Sequence, residues 1–326
     1  MLKLSWLLSV SCIVFALEAP AVLGQNSNLD LAQVVSSVSS VTGLSIASAN
    51  GFLYTVGVTN APASFQTTAG ALQVQGSTSM VFAQKLRTDG TVVASALIAD
   101  AAPGYYAAKV DAAGNIYLAV ATNNVAGVTL KGTGATALVK VGPDLDQVLY
   151  ATYIFDYTTG PMSLAVDSDG SAIAAVVTYD NAELVKLDAT GAQSFSYFLT
   201  DTPEFGGGTV YDARWIGIAI APDHSLVIGV SPGFLYHVDA AGKQLLNSTN
   251  LNSSQIELSA LCLDAAGNTY LAGAAPDPLP ASATPVDYVK MVPAAAFSGD
   301  EGRSGWEQSV YGGARDCERN GVDKRW

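Results

Sequence analysis

The segment that decides the fold reads Lys109-Val110-Asp111-Ala112-Ala113-Gly114-Asn115-Ile116-Tyr117-Leu118. The same pattern returns as Cys262-Leu263-Asp264-Ala265-Ala266-Gly267-Asn268-Thr269-Tyr270-Leu271. In both copies an Asp-x-x-Gly turn separates two apolar stretches, which is typical of a β-hairpin. A third copy spans 165–173, and weaker versions occur at 48–54 and 220–226. The segment is therefore a repeated hairpin.

A second hairpin alternates with the first. Its clearest copy is Leu184-Val185-Lys186-Leu187-Asp188-Ala189-Thr190-Gly191. The lysine of this segment, which we call the marker position, recurs as Lys85, Lys140, Lys186, His237 and Lys290, with spacings between 46 and 55 residues. Such a period is typical of propellers and other large repeats. Two hairpins per repeat predict a four-stranded sheet.

Such a sheet cannot bury both of its faces alone, but similar sheets packed around an axis can. We therefore predict an all-β fold, a β-propeller with about five visible four-stranded blades. β-Solenoid coils, the competing arrangement, repeat over far fewer residues. Composition agrees, since 49% of the residues are hydrophobic, only 13% are charged, and glycine is abundant.

The first unit carries a family resemblance. It reads Phe65-Gln66-Thr67-Thr68-Ala69-Gly70-Ala71-Leu72-Gln73 between Leu53-Tyr54-Thr55-Val56-Gly57 and Phe82-Ala83-Gln84-Lys85-Leu86. This resembles the bacterial SBBP propeller repeat, and the graded likeness covers roughly residues 40–292. The resemblance implies a secreted bacterial propeller and no particular activity. The family is seven-bladed, so the chain either closes with fewer blades or is a fragment whose missing blades come from a partner chain.

The N-terminus predicts export. Lys3 precedes an apolar run from Leu4 to Leu17, and small residues lead up to Gln25. We interpret residues 1–24 as a signal peptide, which makes the mature chain secreted, periplasmic or cell-surface, with no membrane span. The alternative is a tethering helix that is never cleaved. The predicted propeller domain then covers 25–296.

Residues 297–326 form an irregular, charged tail. It is either a solvated or disordered end, or a truncated or mis-translated end where further blades should follow. Cys262 and Cys317 are the cysteines left after cleavage, and a bridge between them stays open.

Charge limits the partners. The formal net charge is -13, and an acidic surface repels phosphate backbones, so we predict no nucleic-acid binding. A protein or a carbohydrate is the more plausible partner.

The repeat also predicts where a ligand binds. Both Asp-x-x-Gly turns of a unit lie at the same edge of its sheet, and the long connections emerge at the opposite edge. These connections run from Gly57 to Met80, Ala121 to Ala135, Asp201 to Trp215 and Ala274 to Val286. Long loops on a rigid scaffold commonly carry binding residues.

The most polar and aromatic of these loops spans 201–215. Its residues, together with one from the preceding sheet-to-sheet connection, could stack on and hydrogen-bond a sugar ring; the candidates are Tyr157, Glu204, Tyr211, Asp212, Arg214 and Trp215. The competing interpretation is that the aromatic residues seat the loop against the blades and that Arg214 pairs with a local carboxylate.

Catalytic and metal signatures are weak, and no catalytic residue or cofactor is predicted. A metal-dependent lyase or lactonase-type propeller is the alternative function, but His224 falls in a turn opposite the long loops and His237 in a strand. Asp167-Ser168-Asp169-Gly170 resembles the start of a calcium loop without its later ligands, so a plain hairpin turn is favoured. No serine has a nucleophile-elbow motif or an expected histidine partner. The sequence thus predicts a secreted, non-catalytic binding or scaffolding module.

Overall fold

The computed structural model describes 41–76, 78–102, 104–156, 160–177, 182–199, 215–231, 234–250, 257–274, 288–292 and 308–310. Apart from one short 3-10 turn at Pro62–Ser64, the regular structure of these residues is entirely β-strand. In the part of the chain that the structure describes, no helix has the length and apolar character needed to cross a membrane.

Among the described residues, twenty strands form five antiparallel sheets of four strands each, and within a sheet every strand pairs with the next one in the chain. Sheet 1 contains β1 (Val41–Ala49), β2 (Phe52–Thr59), β3 (Met80–Arg87) and β4 (Val92–Asp100). Sheet 2 contains β5 (Ala107–Val110), β6 (Ile116–Ala121), β7 (Thr136–Val141) and β8 (Val148–Phe155). Sheet 3 contains β9 (Met162–Val166), β10 (Ala172–Val177), β11 (Ala182–Leu187) and β12 (Gln193–Phe198). Sheet 4 contains β13 (Ile216–Ile220), β14 (Leu226–Val230), β15 (Phe234–Val238) and β16 (Leu245–Asn250). Sheet 5 contains β17 (Glu257–Leu263), β18 (Thr269–Ala274), β19 (Tyr288–Val292) and β20 (Gln308–Val310).

The first strand of each sheet is its inner strand. β1 contacts β5, β5 contacts β9, β9 contacts β13, and β13 contacts β17. The sheets are therefore arranged side by side about their first strands, which is the β-propeller architecture that the repeat predicts. Within the described ranges no contact of similar extent joins β17 to β1, so closure of the ring with five sheets stays an open prediction.

Apolar cores lie between consecutive sheets and explain the continuous apolar runs in the sequence. β6 and β10 are buried at every position. A strand covered on both faces has no polar side, so its sequence is apolar throughout rather than alternating. The largest core joins sheets 1 and 2, and separate clusters join sheets 2 with 3, 3 with 4, and 4 with 5.

The predicted Asp-x-x-Gly turns are confirmed. The N–H of Gly114 donates to the carbonyl of Asp111 at 2.9 Å, and the Asp111 carboxylate accepts the N–H groups of Ala113 and Asn115. Gly114 has a φ of 84°, a conformation that strongly favours glycine. The turn at Asp264 repeats this hydrogen-bond pattern.

The weaker sequence copy at 48–54 has a different turn. Asn50 and Gly51 alone connect β1 to β2, and both have positive φ values, 51° and 77°. Two such residues form the compact hairpin turn for which Asn-Gly is the preferred pair. The missing aspartate of this copy is thus explained by a shorter turn.

The outer strands of sheets 1 to 4 share a β-bulge that the sequence did not predict. In each, one extra residue lies between the partner of the marker residue and the partner of the residue that follows the marker; these extra residues are Val93, Leu149, Ser194 and Leu246. Leu149 and Leu246 are nearly half exposed. A bulge on an edge strand disrupts its pairing potential, so it discourages association of sheet edges between molecules.

Aromatic side chains join neighbouring sheets at the turns. A Cβ at Gly114 of sheet 2 would lie 2.6 Å from the hydroxyl of Tyr54 in sheet 1. In the same way a Cβ at Gly191 of sheet 3 would lie 2.8 Å from Cβ of Tyr150 in sheet 2, and one at Gly242 of sheet 4 would overlap the ring of Phe195 in sheet 3. Each of these glycines therefore provides room for an aromatic residue of the preceding sheet.

Candidate functional site

Strand direction places the connections on two faces, as predicted. The face that carries the β1–β2 and β3–β4 turns, and their equivalents in the other sheets, is called the turn face below. The opposite face, called the long-loop face, carries the β2–β3 connection (60–79) and the β6–β7 connection (122–135). The corresponding connections in sheets 3 and 4 are short, 178–181 and 231–233, so the described long loops are concentrated on sheets 1 and 2.

The long loop of sheet 1 folds back onto its own outer strand. Ring centroids of Phe65 and Phe82 lie 5.0 Å apart. Val74 donates its N–H to the carbonyl of Leu97 at 2.9 Å, and Leu97 donates to the carbonyl of Leu72 at 3.0 Å. The stretch that resembles the SBBP loop therefore covers part of the outer edge of β4, where it supplies main-chain partners.

The long loop of sheet 2, which follows β6 and precedes β7, is hydrogen-bonded to the outer strands of two sheets, β4 and β8. Its outgoing arm bonds to β4 of sheet 1, since Ala126 donates to Ile98 at 2.9 Å and Asp100 donates to Asn124 at 3.1 Å. Its returning arm bonds to β8, because Lys131 donates to Ala151 at 3.0 Å. Gly127, with a φ of 74°, forms the bend between the arms.

A cavity of about 350 Å³ lies between the arms of this loop and β8. Its walls combine apolar side chains, two amides, a threonine and an aromatic ring: Asn123, Asn124, Val125, Val128, Thr129, Leu130 and Tyr153. All seven residues are uncharged. We call this cavity the sheet-2 pocket.

Hydrogen bonds hold the rim of the pocket in place. The Asp100 carboxylate accepts the N–H of Asn124 at 3.1 Å and the hydroxyl of Thr122. The Asn124 amide donates to the carbonyl of Gln75 in the neighbouring long loop at 3.3 Å. The side chains of Asn123 and Thr129 are exposed. The pocket is therefore a preformed feature of two interlocked loops.

Five of the six predicted ligand residues, Tyr157, Glu204, Tyr211, Asp212 and Arg214, lie outside the described residues, so their role stays a prediction. Trp215 is described, and its ring lies over the backbone of sheet 4. A Cβ at Gly217 would overlap this ring, and one at Gly229 would lie 3.1 Å from it. Trp215 also packs against the core cluster that joins sheets 4 and 5. This position agrees with the interpretation that the aromatic residue seats the loop against the blades.

The two histidines lie where the sequence predicted, in a turn and in a strand. His224 has a φ of 66° in the β13–β14 turn, and its Nδ1 lies 2.9 Å from the carboxylate of Asp167 in sheet 3. His237 lies in β15, where burial lowers its pKa and the nearby Asp223 opposes that effect. Among the described residues, no group of three or more His, Cys, Asp or Glu side chains is arranged to hold a metal ion.

The expectation that no serine has a histidine partner is wrong. Ser225 Oγ lies 2.7 Å from Nε2 of His237, because antiparallel pairing of β14 with β15 brings the start of one strand beside the end of the other. Ser225 is only 2% exposed and also donates to Asp223. Its hydroxyl is used for internal hydrogen bonds and is not accessible to a substrate.

The Asp167–Gly170 segment forms a hairpin turn, as favoured. Gly170 donates its N–H to the carbonyl of Asp167 at 2.9 Å. The Asp167 carboxylate contacts His224 and lies 3.7 Å from Nζ of Lys186. Ser171 hydrogen-bonds to Asp169 and lowers the pKa of its carboxyl. Both carboxylates thus have protein partners, and calcium binding here stays a prediction.

Cys262 is disulfide-bonded. The other two cysteines, Cys12 and Cys317, lie outside the described residues. The bridge to Cys317 therefore stays a prediction.

Sequence reasoning located the loop that carries the sheet-2 pocket but selected none of its residues. The length of the β6–β7 connection predicts a binding loop, whereas charged and aromatic content favours the stretch 201–215. The pocket depends on bonds from 124–126 to sheet 1 and from Lys131 to β8. No periodicity in the sequence indicates these long-range bonds, although the Asn123-Asn124 pair before Gly127 was a local signal of a polar bend.

Comparisons with known proteins find only distant structural similarity. No family model matches the chain, and no curated protein matches it. A protein from Lactobacillus plantarum is 16% identical with a TM-score of 0.45, over 76% of this chain and 65% of that one. The β-propeller domain of Cps50 (Swd1) from Myceliophteria thermophila is 12% identical with a TM-score of 0.47, over 82% and 69%. BamB from Moraxella catarrhalis is 13% identical with a TM-score of 0.38, over 68% and 63%.

The chain thus spans less than two thirds of the first and third of these proteins. The class that its own sheets define is the β-propeller. Similarity at this level assigns no activity, ligand or partner.

Proposed function

We propose that this protein is a non-catalytic β-propeller that binds its partner or ligand through the long-loop face. The sheet-2 pocket is the observation that carries the proposal. Both arms of its loop are hydrogen-bonded to rigid outer strands, so binding there needs little further ordering of the chain. Preorganisation of this kind lowers the entropic cost of association.

The chemistry of the pocket supports binding rather than catalysis. Its polar groups are the amides of Asn123 and Asn124 and the hydroxyls of Thr129 and Tyr153. Amides and aliphatic hydroxyls form directional hydrogen bonds but are poor proton carriers near neutral pH. Of the lining residues only Tyr153 is of a type used in proton transfer, and no second titratable side chain lines the pocket, so the pocket is better suited to recognition than to acid–base chemistry.

We further propose that the chain is exported and that it belongs to the SBBP repeat group. Export is supported by the sequence of residues 1–24, and the grouping by residues 65–73 with their flanking strands. N-terminal sequencing of the protein produced in a bacterial host tests the first proposal. A mature chain that starts at Gln25 in the exported fraction is expected, and an intact Met1 in a membrane fraction would indicate the tethering alternative.

A footprint of bound ligand tests the assignment of the face. The protein lacking residues 1–24 is screened against panels of oligosaccharides and proteins, and amide hydrogen exchange is then measured with and without each hit. We expect slower exchange in 122–135. Slower exchange confined to the turn face, at 111–115 and 188–192, would contradict the proposal.

A further inference from the structure

We infer that the sheet-2 pocket takes one neutral sugar residue, free or within an oligosaccharide; this inference rests on the proposed binding role of the long-loop face. It goes beyond that role by assigning the class of ligand and the side chains that contact it.

The apolar part of the pocket matches one side of a sugar ring. Val125, Val128, Leu130 and the ring of Tyr153 lie among its walls. The C–H groups of a pyranose form an apolar face that packs against such surfaces, and aromatic rings present a large, rigid area for this contact. Gly134 leaves room for Tyr153, since a Cβ there would lie 3.0 Å from Cβ of the tyrosine.

The polar part of the pocket matches hydroxyl groups. The Asn123 side chain provides an amide that both donates and accepts, and Thr129 and Tyr153 provide hydroxyls with the same double capacity. Asn124, by contrast, already uses its amide on Gln75. A sugar hydroxyl also donates and accepts, so it can pair with each of the three side chains.

The charge of the site indicates a neutral ligand. No lining residue is charged, and the nearby Asp100 carboxylate is already engaged by Thr122 and Asn124. An ionised ligand would lose hydration without gaining an opposite charge, which is costly. The net charge of -13 also disfavours polyanionic glycans.

A peptide fits the site less well. Extended peptides gain affinity by pairing their main chain with an open strand edge. Here the loop itself takes part of both neighbouring edges, with 124–126 bonded to β4 and Lys131 bonded to β8. The volume of about 350 Å³ lies near the lower end of the range for ligand pockets, which suits a ligand as small as a single sugar residue.

The test uses neutral disaccharides of glucose, galactose, mannose and N-acetylglucosamine, with uronic-acid oligosaccharides and an extended peptide panel as competitors of other classes. Binding is measured by titration calorimetry. We expect at least one neutral disaccharide to bind, and Asn123→Ala combined with Thr129→Val to weaken it by about tenfold or more, as expected for the loss of two hydrogen bonds.

Thr133→Val is the matched control. Thr133 is an exposed threonine of the same loop that does not line the pocket, so its variant should bind as the parent protein does. Thermal unfolding of every variant shows whether the fold is kept. Tyr153→Phe, which keeps the ring and removes the hydroxyl, gives a second measurement and should weaken binding less than the double variant.

The outcomes separate the sugar inference from the proposed function. A uronate or peptide that binds and is lost in the double variant overturns the neutral-sugar assignment but supports the long-loop face. Failure of every neutral disaccharide at millimolar concentration overturns the assignment as well. A sugar that binds equally to all variants and protects the turn face overturns both proposals.

Discussion

At the scale of single residues, three sheet junctions depend on a turn glycine that meets two demands at once. Gly114 and Gly191 have φ values of 84° and 83°, and Gly242 has 63°. Each also lies against an aromatic side chain of the preceding sheet. A side chain at these positions would strain the backbone and displace the aromatic ring together.

Gly114→Ala and Gly51→Ala separate these two demands. Gly51 has a similar φ of 77°, but a Cβ there would have nothing within 4 Å. We expect Gly51→Ala to lower the free energy of unfolding by about 1–2 kcal/mol through backbone strain. Gly114→Ala should lower it by about 1–3 kcal/mol more, because Tyr54 must move. Chemical denaturation measures both, and equal losses would contradict the packing role of Gly114.

Part of this residue-level picture could be predicted from sequence. The Asp-x-x-Gly spacing identified Asp111 and Gly114 as turn residues because local hydrogen bonds determine such turns. The partner of Gly114, Tyr54, lies 60 positions earlier in the chain. Only the packing of one sheet on the next brings the two together, so no local pattern indicates the contact.

At the scale of strands and loops, the outer edges of the sheets are protected unequally. β4 has 72–74 and 124–126 bonded to it, and β8 has Lys131 bonded to it. Within the described ranges, no loop segment pairs with the outer edge of β12, where Phe198 is 50% exposed. Within the described ranges, the outer edges of sheets 1 and 2 thus have both a bulge and bonded loop segments, whereas the outer edges of sheets 3 and 4 have a bulge only.

Hydrogen exchange should reveal this difference. We expect peptides from β4 and β8 to exchange about fivefold or more slowly than a peptide from β12, the factor that corresponds to one hydrogen bond of about 1 kcal/mol. Val74→Pro removes the N–H that bonds to Leu97, so it should accelerate exchange in β4 and leave β8 unchanged. Equal exchange of the three strands in the parent protein would show that the loops do not protect the edges.

The strands were predictable where the loops were not. Alternation of two hairpin types predicted four strands per unit, because turn residues and apolar runs are local signals. The bulges at Val93 and Leu149 were missed, since a bulge changes the pairing between strands and leaves composition unchanged. The sheet-2 pocket was missed for a similar reason, as its walls come together through bonds to two different sheets.

At the scale of the whole molecule, the junction between sheets 4 and 5 differs from the others. Trp215 fills the space left by Gly217 and Gly229, and together with Leu261 of sheet 5 it packs against the core cluster between the two sheets. The glycines give sheet 4 a flat surface, and the indole ring provides the bulk that joins it to the next sheet. The Trp215 ring therefore adds to the buried apolar cluster of Val227, Leu235, Leu258 and Leu271 that joins sheets 4 and 5.

Trp215→Ala tests this packing role against the predicted ligand role. If the ring is a packing element, the variant should lose about 3 kcal/mol of stability, and limited proteolysis should cleave first within sheet 5. Trp215→Phe, which keeps an aromatic ring, should lose less. A variant that unfolds like the parent protein but no longer binds its ligand would instead support the ligand role.

The aromatic–glycine contact between sheets bears on how a propeller gains repeats during evolution. Tyr150 in β8 of sheet 2 packs against Gly191 of sheet 3, so the aromatic residue and the glycine of one contact belong to consecutive repeats. Sheet 3 carries both a glycine that accepts an aromatic ring, Gly191, and an aromatic ring for the next sheet, Phe195. Such a repeat can be copied in tandem by gene duplication, and at this contact the new copy fits both neighbours without compensating substitutions.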